Sequence, residues 1–316
     1  MNTAAAWPTS IAQMEQLAEL DAYRSQPAQM PAAAHGKVGL LQLRFERRQG
    51  RSVLAHLHRI SPLLVQQALY WDEAMPELPI CMILSVGGGT LQGDRLSIEV
   101  DVAAGACAQV TTQGATRLHA MDANYALQAQ NLSLGPGAYL EFMPEVVIPY
   151  RHTRYASQTH VMLDESATLL LSEFVMPGRL HHAGGERFEY RQLSFAVRVF
   201  RPDGRLVFSE KLLIDPALYP LSLESVMHGL ETFGTLLVLT PAEVAQRIRA
   251  RAVALCGVDL EAGWVSGVVA LPDQLGLMFR VVARQSEQVR QQIRAIWQIC
   301  REEAVGRTLP TEFAWR

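Results

Sequence analysis

Apolar and polar residues alternate with a period of two over most of the chain from about residue 37 to 215. Successive side chains of a β-strand point to opposite faces, so this alternation predicts half-buried strands. Residues 41–46, 96–102 and 195–199 show it most clearly. Turn signals separate such segments, namely Gln49-Gly50, Gly93-Asp94, Gly135-Pro136-Gly137 and Asp203-Gly204. We therefore expect this region to fold as β-sheet.

A short motif recurs within the β region. An apolar residue, two turn residues, a small residue and an alanine precede a strand around Gly105, Gly137 and Ser166, which lie 32 and then 29 positions apart. Stacked β-coils produce such a recurrence, because each coil buries one face on the next. Chance similarity among β-hairpins would give the same short signal, so both explanations stay open at this point.

The last third of the chain changes to a helical pattern. Residues 241–256 begin with proline and continue with alanine and arginine, which predicts a helix. Residues 284–305 carry an apolar stripe at helical spacing, which predicts a second helix. Between them, residues 264–269 and 275–282 are predicted to be strands. The expected fold is mainly β with two C-terminal α-helices.

Residues 1–36 are expected to form an N-terminal extension to a domain that spans residues 37–316. Pro27, Pro31 and a run of alanines after them indicate a linker. Before the linker, Ser10 is placed to cap a short helix. Such a helix could dock a partner, but a frayed or locally packed terminus is the more common case.

Composition excludes several classes of protein. The chain has 316 residues, of which 49% are hydrophobic and 19% charged, so it can bury a sizeable core and is not a disordered protein. A net charge of −3 without basic runs predicts no nucleic-acid surface. No apolar run approaches the ~20 residues that cross a bilayer. Four scattered cysteines and the lack of a secretion signal favour the cytoplasm.

A glycine-rich stretch at residues 85–94 is a candidate phosphate loop. It lacks the Gly-Lys-Ser/Thr of a P-loop, and a strand rather than a helix is predicted after it. Glycines that permit tight connections between strands explain the run better. Asp94 at its end is expected to accept hydrogen bonds from its own turn.

Two carboxylates are predicted to point to apolar faces. Glu173 is in phase with Leu171, and Glu210 is in phase with Phe208 and Leu212. Buried carboxylates are normally paired or bound to something. A salt bridge to an arginine is the simpler explanation for either residue alone. Two of them on separate strands indicate an internal polar path that would suit a hydrated divalent cation.

Histidines offer weaker metal candidates, and catalytic motifs are missing from the sequence. His56 and His58 share a predicted strand face and His181-His182 are adjacent, patterns that bind nickel or zinc or are simply solvated. No Gly-x-Ser-x-Gly motif occurs. Aromatic residues make up 7% of the chain, without the clusters of a polysaccharide-cleaving enzyme. We therefore expect no catalytic site.

Several short motifs, taken in series, resemble the family of urease accessory proteins UreD, called UreH in some organisms. They are residues 61–66, 88–94, 111–117, 140–144, 178–179 and 185–188, with Trp297 in the last helix. Their order over about residues 37–310 carries the resemblance. This chain departs from the family where Ser85-Val86-Gly87 replaces the usual His-Pro-Pro, and in a longer stretch before Gly185.

The resemblance implies a right-handed superhelix of stacked β-coils and a cytoplasmic scaffold that is not itself an enzyme. It implies binding to the urease apoprotein and to UreF, which in turn recruits the nickel-carrying GTPase UreG. An internal tunnel would lead nickel towards urease, so nickel is in transit and no cofactor is tightly bound. A pure interaction scaffold, which holds UreF against urease without carrying nickel, is the alternative.

The resemblance also implies roles for individual residues. The positions that match are, for the nickel path, Asp94, Glu141, Glu173 and Glu210; for the tunnel lining, Thr116; and for partner binding, Arg280 and Trp297.

Overall fold

A computed structural model of the chain describes residues 9–25, 37–182 and 184–311. Its strands are β1 (Val38–Arg48), β2 (Arg51–Ile60), β3 (Leu63–Leu64), β4 (Ile80–Ser85), β5 (Arg95–Val102), β6 (Cys107–Thr112), β7 (Thr116–Leu118), β8 (Ala126–Leu134), β9 (Tyr139–Phe142), β10 (Val147–Pro149), β11 (Arg154–Leu163), β12 (Thr168–Val175), β13 (Gln192–Phe200), β14 (Leu206–Ile214), β15 (Thr232–Leu239), β16 (Gly257–Asp259), β17 (Trp264–Ala270) and β18 (Gly276–Ala283). Its α-helices are α1 (Ile11–Met14), α2 (Glu224–Met227), α3 (Ala242–Ala252) and α4 (Ser286–Val305). Short 3-10 helices span Ala18–Tyr23, Val253–Leu255 and Pro272–Gln274.

The strands form two sheets, so the prediction of a mainly β fold is confirmed. The first sheet has seven strands in the order β14-β13-β11-β8-β5-β1-β2. The second follows the order β16-β17-β18-β15-β12-β9-β6-β4-β3, with β7 and β10 beside that path. Apolar residues from the inner faces of both sheets form one continuous core between them. The inner-face side chains are therefore the apolar half of the period-two pattern.

From β4 to β13 the chain alternates between the two sheets. β4, β6, β9 and β12 lie in the second sheet and run parallel to one another, as do β5, β8, β11 and β13 in the first. The recurring motif marks the crossings from the first sheet to the second. Its turns stack on one another, because Gly105 donates its N–H to the Pro136 carbonyl and Gly137 to the Ser166 hydroxyl. Parallel pairing excludes the hairpin explanation of the repeat.

Both predicted C-terminal helices are present, and they cover the outer face of the second sheet. Ile248 of α3 and Ile296 of α4 belong to a second core with Leu236 of β15 and Phe279 of β18. α4 begins with a capping box and ends at Gly306, which adopts the left-handed conformation common at helix ends. Among the helices within the described ranges, none is long and apolar enough to cross a membrane.

The predicted N-terminal helix is confirmed, and it packs on the outer face of the first sheet. Ser10 caps α1 through the Gln13 N–H. Met14 and Leu20 are fully buried against β8 and β11, where Leu127 is also fully buried. Local packing is thus the observed case for residues 9–23, while the predicted linker around Pro27 lies outside the described residues.

Polar contacts complete this attachment. The Thr9 backbone exchanges two hydrogen bonds with the Asn131 amide, of 2.9 and 3.1 Å. Glu15 forms an ion pair with Arg95 at 3.0 Å. Glu19 accepts hydrogen bonds from Ser194 and Lys211, which together hold the pKa of its carboxyl below its usual value against the effect of burial. The segment is therefore held by both apolar and charged contacts.

Replacing Leu20 with alanine tests whether this segment contributes to stability. Leu20 is fully buried, so Leu20→Ala should lower the free energy of unfolding by about 2–5 kcal/mol. Urea denaturation of the full chain measures the change. Gln16→Ala, at an exposed position of the same segment, should stay within about 0.5 kcal/mol. Equal stability of both variants would show that the segment does not support the fold.

Candidate functional site

A cavity of about 440 Å³ lies between the two sheets, at the end of the sandwich where β4, β6, β9 and β12 finish. Its mouth is formed by the loops that follow those strands, including Gly88, Gly89, Gln113 and Gly114. A single water molecule needs roughly 10–15 Å³ of such a cavity, so the cavity has room for many water molecules.

In two central strands of the first sheet, β8 and β11, inner residues towards the cavity are polar and those at the other end are apolar. Along β8 the inner residues are Gln128 and Gln130, followed by buried Leu132 and Leu134. Along β11 they are Ser157 and Thr159, followed by buried Val161 and Leu163. Alternation with a period of two continues without a break in both strands, and only the chemistry of the inward residue changes. The cavity thus exists because polar residues occupy inner positions.

These four polar residues were missed by the sequence interpretation. The signal was available, because Gln128, Gln130, Ser157 and Thr159 occupy the same phase as the leucines and valines that follow them. Attention to carboxylates alone overlooked neutral side chains at inward positions. The Gln130 side-chain amide donates a hydrogen bond to the Ser157 hydroxyl at 3.1 Å. Gln130 is buried, with 8% of its surface exposed, and yet its Oε1 accepts no hydrogen bond from the protein. Such an acceptor beside a roomy cavity favours bound water.

Glu173 lies in the cavity wall on the inner face of β12, between buried Leu171 and Val175. This placement agrees with the phase read from the sequence. Burial raises the pKa of the Glu173 carboxyl to about 7, and the positive charge of Arg280 partly opposes that shift. Glu173, Thr235 and Arg280 lie directly opposite one another on three adjacent strands, so they share one face of the sheet. Near neutral pH the carboxyl is partly ionised.

Glu210 lies on the inner face of β14, in phase with Phe208 and Leu212 as predicted, but at the edge of the first sheet rather than in the cavity wall. It forms an ion pair with Arg280 of the second sheet, and both side chains are partly solvated. Phe208 and Leu212, its neighbours in phase, are only partly buried because β14 is the last strand of its sheet. The salt bridge considered for Glu210 is therefore the observed arrangement, and it links the two sheets.

Glu141 is fully buried, but on the face of the second sheet that packs against α4. Its carboxylate accepts hydrogen bonds from the Tyr139 hydroxyl at 2.6 Å, the Trp297 ring N–H at 2.8 Å, and Arg301 at 2.8 and 2.7 Å. Arg301, also fully buried, forms a further ion pair with Asp72. Both oxygens of Glu141 are occupied, and Trp297 is buried in this cluster rather than presented to solvent.

The remaining predicted residues fall in different places. Thr116 lies in the cavity wall. Asp94 is buried outside it and accepts the N–H groups of Lys37 and Leu91, each at 2.8 Å, so it closes its own turn as expected. In the glycine-rich stretch that precedes it, Gly89 has a φ of +145° and a Cβ there would lie 2.4 Å from the Arg117 carbonyl. The glycine run is therefore a structural requirement of the cavity mouth.

The Gly178-Arg179 and Glu186 motifs meet in a single ion-pair cluster. Arg179 and Arg151 both donate to the buried Glu186 carboxylate, and they hold its pKa at about 2. A Cβ on Gly178 would lie 2.1 Å from the Glu186 carbonyl oxygen, so only glycine fits there. These motif residues fix a loop and do not line the cavity.

The histidine candidates do not assemble into a metal centre. His56, His58, His181 and His182 are exposed. Over residues 9–25, 37–182 and 184–311, no three His, Cys, Asp or Glu side chains are grouped so that they could hold a metal ion. The polar cavity is thus the feature of the described chain to which a function can best be assigned.

These features define a β-sandwich protein with a cavity between its two sheets and two helices on one outer face. Comparisons with known proteins point to a single family. The family model described as UreD urease accessory protein matches residues 37–316. The chain is 51% identical to urease accessory protein UreD 3 of Methylorubrum populi, over 94% of this chain and 96% of that protein. It is 45% identical to urease accessory protein UreD of Yersinia pseudotuberculosis, over 94% and 92%. The chain belongs to the UreD family of urease accessory proteins.

The N-terminal segment is part of this relationship. The family model matches residues 37–316, which are 280 residues, whereas the alignment with the Methylorubrum protein spans 298. Since it covers 94% of this chain, that alignment extends into residues 1–36. The resemblance therefore reaches further than the motifs indicated, in keeping with the packing of residues 9–23 on the first sheet.

Replacing Glu141 tests whether the buried cluster is structural. Glu141→Ala would leave the buried Arg301 with Asp72 as its remaining carboxylate partner, and we expect a loss of about 3–5 kcal/mol in unfolding free energy. Glu302→Ala, on the same helix as Arg301, breaks a solvated ion pair with Arg251 of α3 and should cost less than about 1 kcal/mol. Denaturant unfolding compares the two, and a small loss for both would contradict a structural role for Glu141.

Glu173→Gln tests the shifted pKa of the cavity carboxyl. Because the folded-state pKa of about 7 exceeds the ordinary value of 4.5 for a glutamate, Glu173 destabilises the fold increasingly as the pH rises between these values. The variant should match the parent protein at pH 4.5 and be more stable at pH 8, by about 1–3 kcal/mol. Unfolding measured across this pH range gives the difference. A difference that does not depend on pH would show that Glu173 titrates normally.

Proposed function

We propose that this protein acts in the maturation of urease, as a cytoplasmic scaffold that binds the urease apoprotein and UreF and, through UreF, UreG. We further propose that its interior cavity provides a hydrated route for nickel. Nickel is cargo in this proposal and binds only in transit. The stacked two-sheet units also support the right-handed superhelical coil expected from the resemblance, whose interior would contain the route.

The observation that carries the proposal is the polar cavity with Glu173 in its wall. A conduit for a hydrated cation needs room for water, oxygen atoms that can replace part of its hydration shell, and no site that holds it tightly. Amide and hydroxyl side chains on β8 and β11 supply neutral oxygens, and Glu173 supplies one partly ionised carboxylate. Glu145, the other carboxylate of the cavity lining, is paired with Arg290. A single available carboxylate, with no imidazole or thiolate among the lining residues, binds a divalent ion weakly.

The charge of Glu173 supports transit rather than storage. With a pKa of about 7, the carboxyl can exchange a proton for a cation at small cost near neutral pH. Arg280 limits how strongly a cation would be held, because its charge acts on the same carboxyl. Asp94 and Glu141, by contrast, have both oxygens engaged by protein donors. Glu173 is therefore the residue we assign to the route.

A pure interaction scaffold is the second candidate function, and one surface favours it. The segment between β14 and β15 exposes several large apolar side chains, with Leu218 at 70% and Tyr219 at 71%, and with Leu223 and Val226 near one half. Exposed apolar groups that lie together on a surface are typical of protein-binding sites. This surface would serve partner binding under either function.

Replacing both Glu173 and Glu210 with glutamine separates the two functions. Glu173→Gln should stabilise the fold at neutral pH, and Glu210→Gln breaks a partly solvated ion pair that contributes about 1 kcal/mol or less, so unfolding should not account for a loss of function. In cells with urease and its accessory proteins, the nickel route predicts that urease activation falls at least about tenfold, on the scale of one carboxylate lost from a metal path. Glu165→Gln, an exposed control, should leave activation unchanged.

Co-purification completes the test. The double variant should still co-purify with the urease apoprotein and UreF, because its surface is nearly unaltered. Normal activation with normal binding would overturn the nickel route and leave the pure scaffold. Failure of the parent protein to bind either partner would overturn both functions.

A further inference from the structure

A second, smaller cavity of about 80 Å³ lies on the other face of the second sheet, beneath α4. Four residues line both this cavity and the large one: Pro144, Glu145, Ser172 and Phe174. The two spaces thus approach each other from opposite faces of the second sheet, close to the point where β9 and β12 end. α4 contributes the opposite wall of the small cavity, through Arg290, Ile293, Arg294 and Trp297.

An ion pair joins two residues that line the small cavity, Arg290 and Glu145. Arg290 of α4 contacts the Glu145 carboxylate at 3.1 Å, and the two side chains are 31% and 24% exposed. Arg290 also lies 3.8 Å from Glu287, one turn earlier on the same helix and much more exposed. Arg290 therefore has an inner partner at the cavity wall and an outer partner in solvent, both within reach of one side chain.

The small cavity has a polar wall of its own. Gln109 is 1% exposed, and its Oε1 lies in the cavity wall without a protein partner. Thr111, nearby on β6, donates its hydroxyl to the Met143 carbonyl at 2.7 Å. A buried amide oxygen left without a donor favours water or a cation in the space it faces. The polar lining therefore continues from the large cavity to the helix.

We infer that the large cavity has a second opening beneath α4, and that Arg290 closes it by binding Glu145 and opens it by turning to Glu287. Partly exposed ion pairs differ little in strength, so both positions of Arg290 are accessible. In the open position Glu145 is released and adds a carboxylate beside the passage. Its use as a nickel passage rests on the proposed function, whereas the opening itself does not.

Accessibility of a cysteine in the shared wall tests the opening. Ser172→Cys places a thiol between the two cavities, and Thr111→Cys places one in the small cavity as a second reporter. The full chain is treated with a small methanethiosulfonate reagent, and peptide mass spectrometry follows modification at the reporter position. Because the four native cysteines are read separately, they do not interfere.

The two flanking substitutions should act in opposite directions. Arg290→Gln removes the closing group and should speed labelling about two- to fivefold, the range that a partly exposed ion pair can hold. Glu287→Gln removes the outer partner, keeps Arg290 on Glu145 and should slow labelling by a similar factor. Arg247→Gln, which breaks the ion pair between α3 and Glu303 of α4, is the matched control and should change nothing.

Equal labelling rates in all variants, at both reporters, would overturn the inference. Urease activation gives a separate reading. If labelling responds as expected while Arg290→Gln and Glu287→Gln leave activation unchanged and Glu173→Gln still lowers it, the opening exists but nickel does not use it. If Glu173→Gln has no effect either, the opening stands and the proposed nickel route fails.

Discussion

The packing of two β-sheets through their inner faces is the constraint on which the rest of this structure depends. Each crossing of the chain adds one strand to each sheet, and stacked turns at Gly105, Gly137 and Ser166 keep those strands in register. At one end the inner side chains are leucine and valine and leave no space. At the other end they are glutamine, serine and threonine, which cannot close over one another without losing hydrogen bonds. A polar cavity between the sheets is the result.

The charged groups of the protein divide into two kinds by the number of partners they have. Arg301, Glu141 and Asp72 form a closed buried cluster that fixes α4 on the second sheet, and removing any one would strand the others. Glu173, in contrast, faces the cavity with its charge only partly offset by Arg280. A fully paired carboxylate is structural, and one that faces a hydrated space is available for exchange. This difference, rather than burial alone, is the reason that we assign Glu173 to the proposed nickel route.

Much of the fold could be predicted from the sequence, because alternation and helical spacing are local properties. The β region, the repeat, α3, α4 and the inward phase of Glu173 all follow from patterns within single segments. The position of Glu210 could not be predicted, since phase along a strand does not reveal that the strand lies at a sheet edge. Nor could the partners of Glu141, because Arg301 lies 160 residues away in sequence. Ion pairs between elements far apart in sequence determine which carboxylates have arginine partners and which face the cavity.

The most direct measurement follows nickel transfer in the assembled complex of this protein with urease apoprotein, UreF and nickel-loaded UreG. Radioactive nickel reaching urease would be counted with and without an excess of a chelator too large to enter the cavity. If nickel travels through the interior, transfer should persist in the presence of the chelator, and it should fall when Glu173 is replaced by glutamine. Transfer that the chelator abolishes would mean that nickel passes through bulk solvent, and would contradict the account of the cavity as its route.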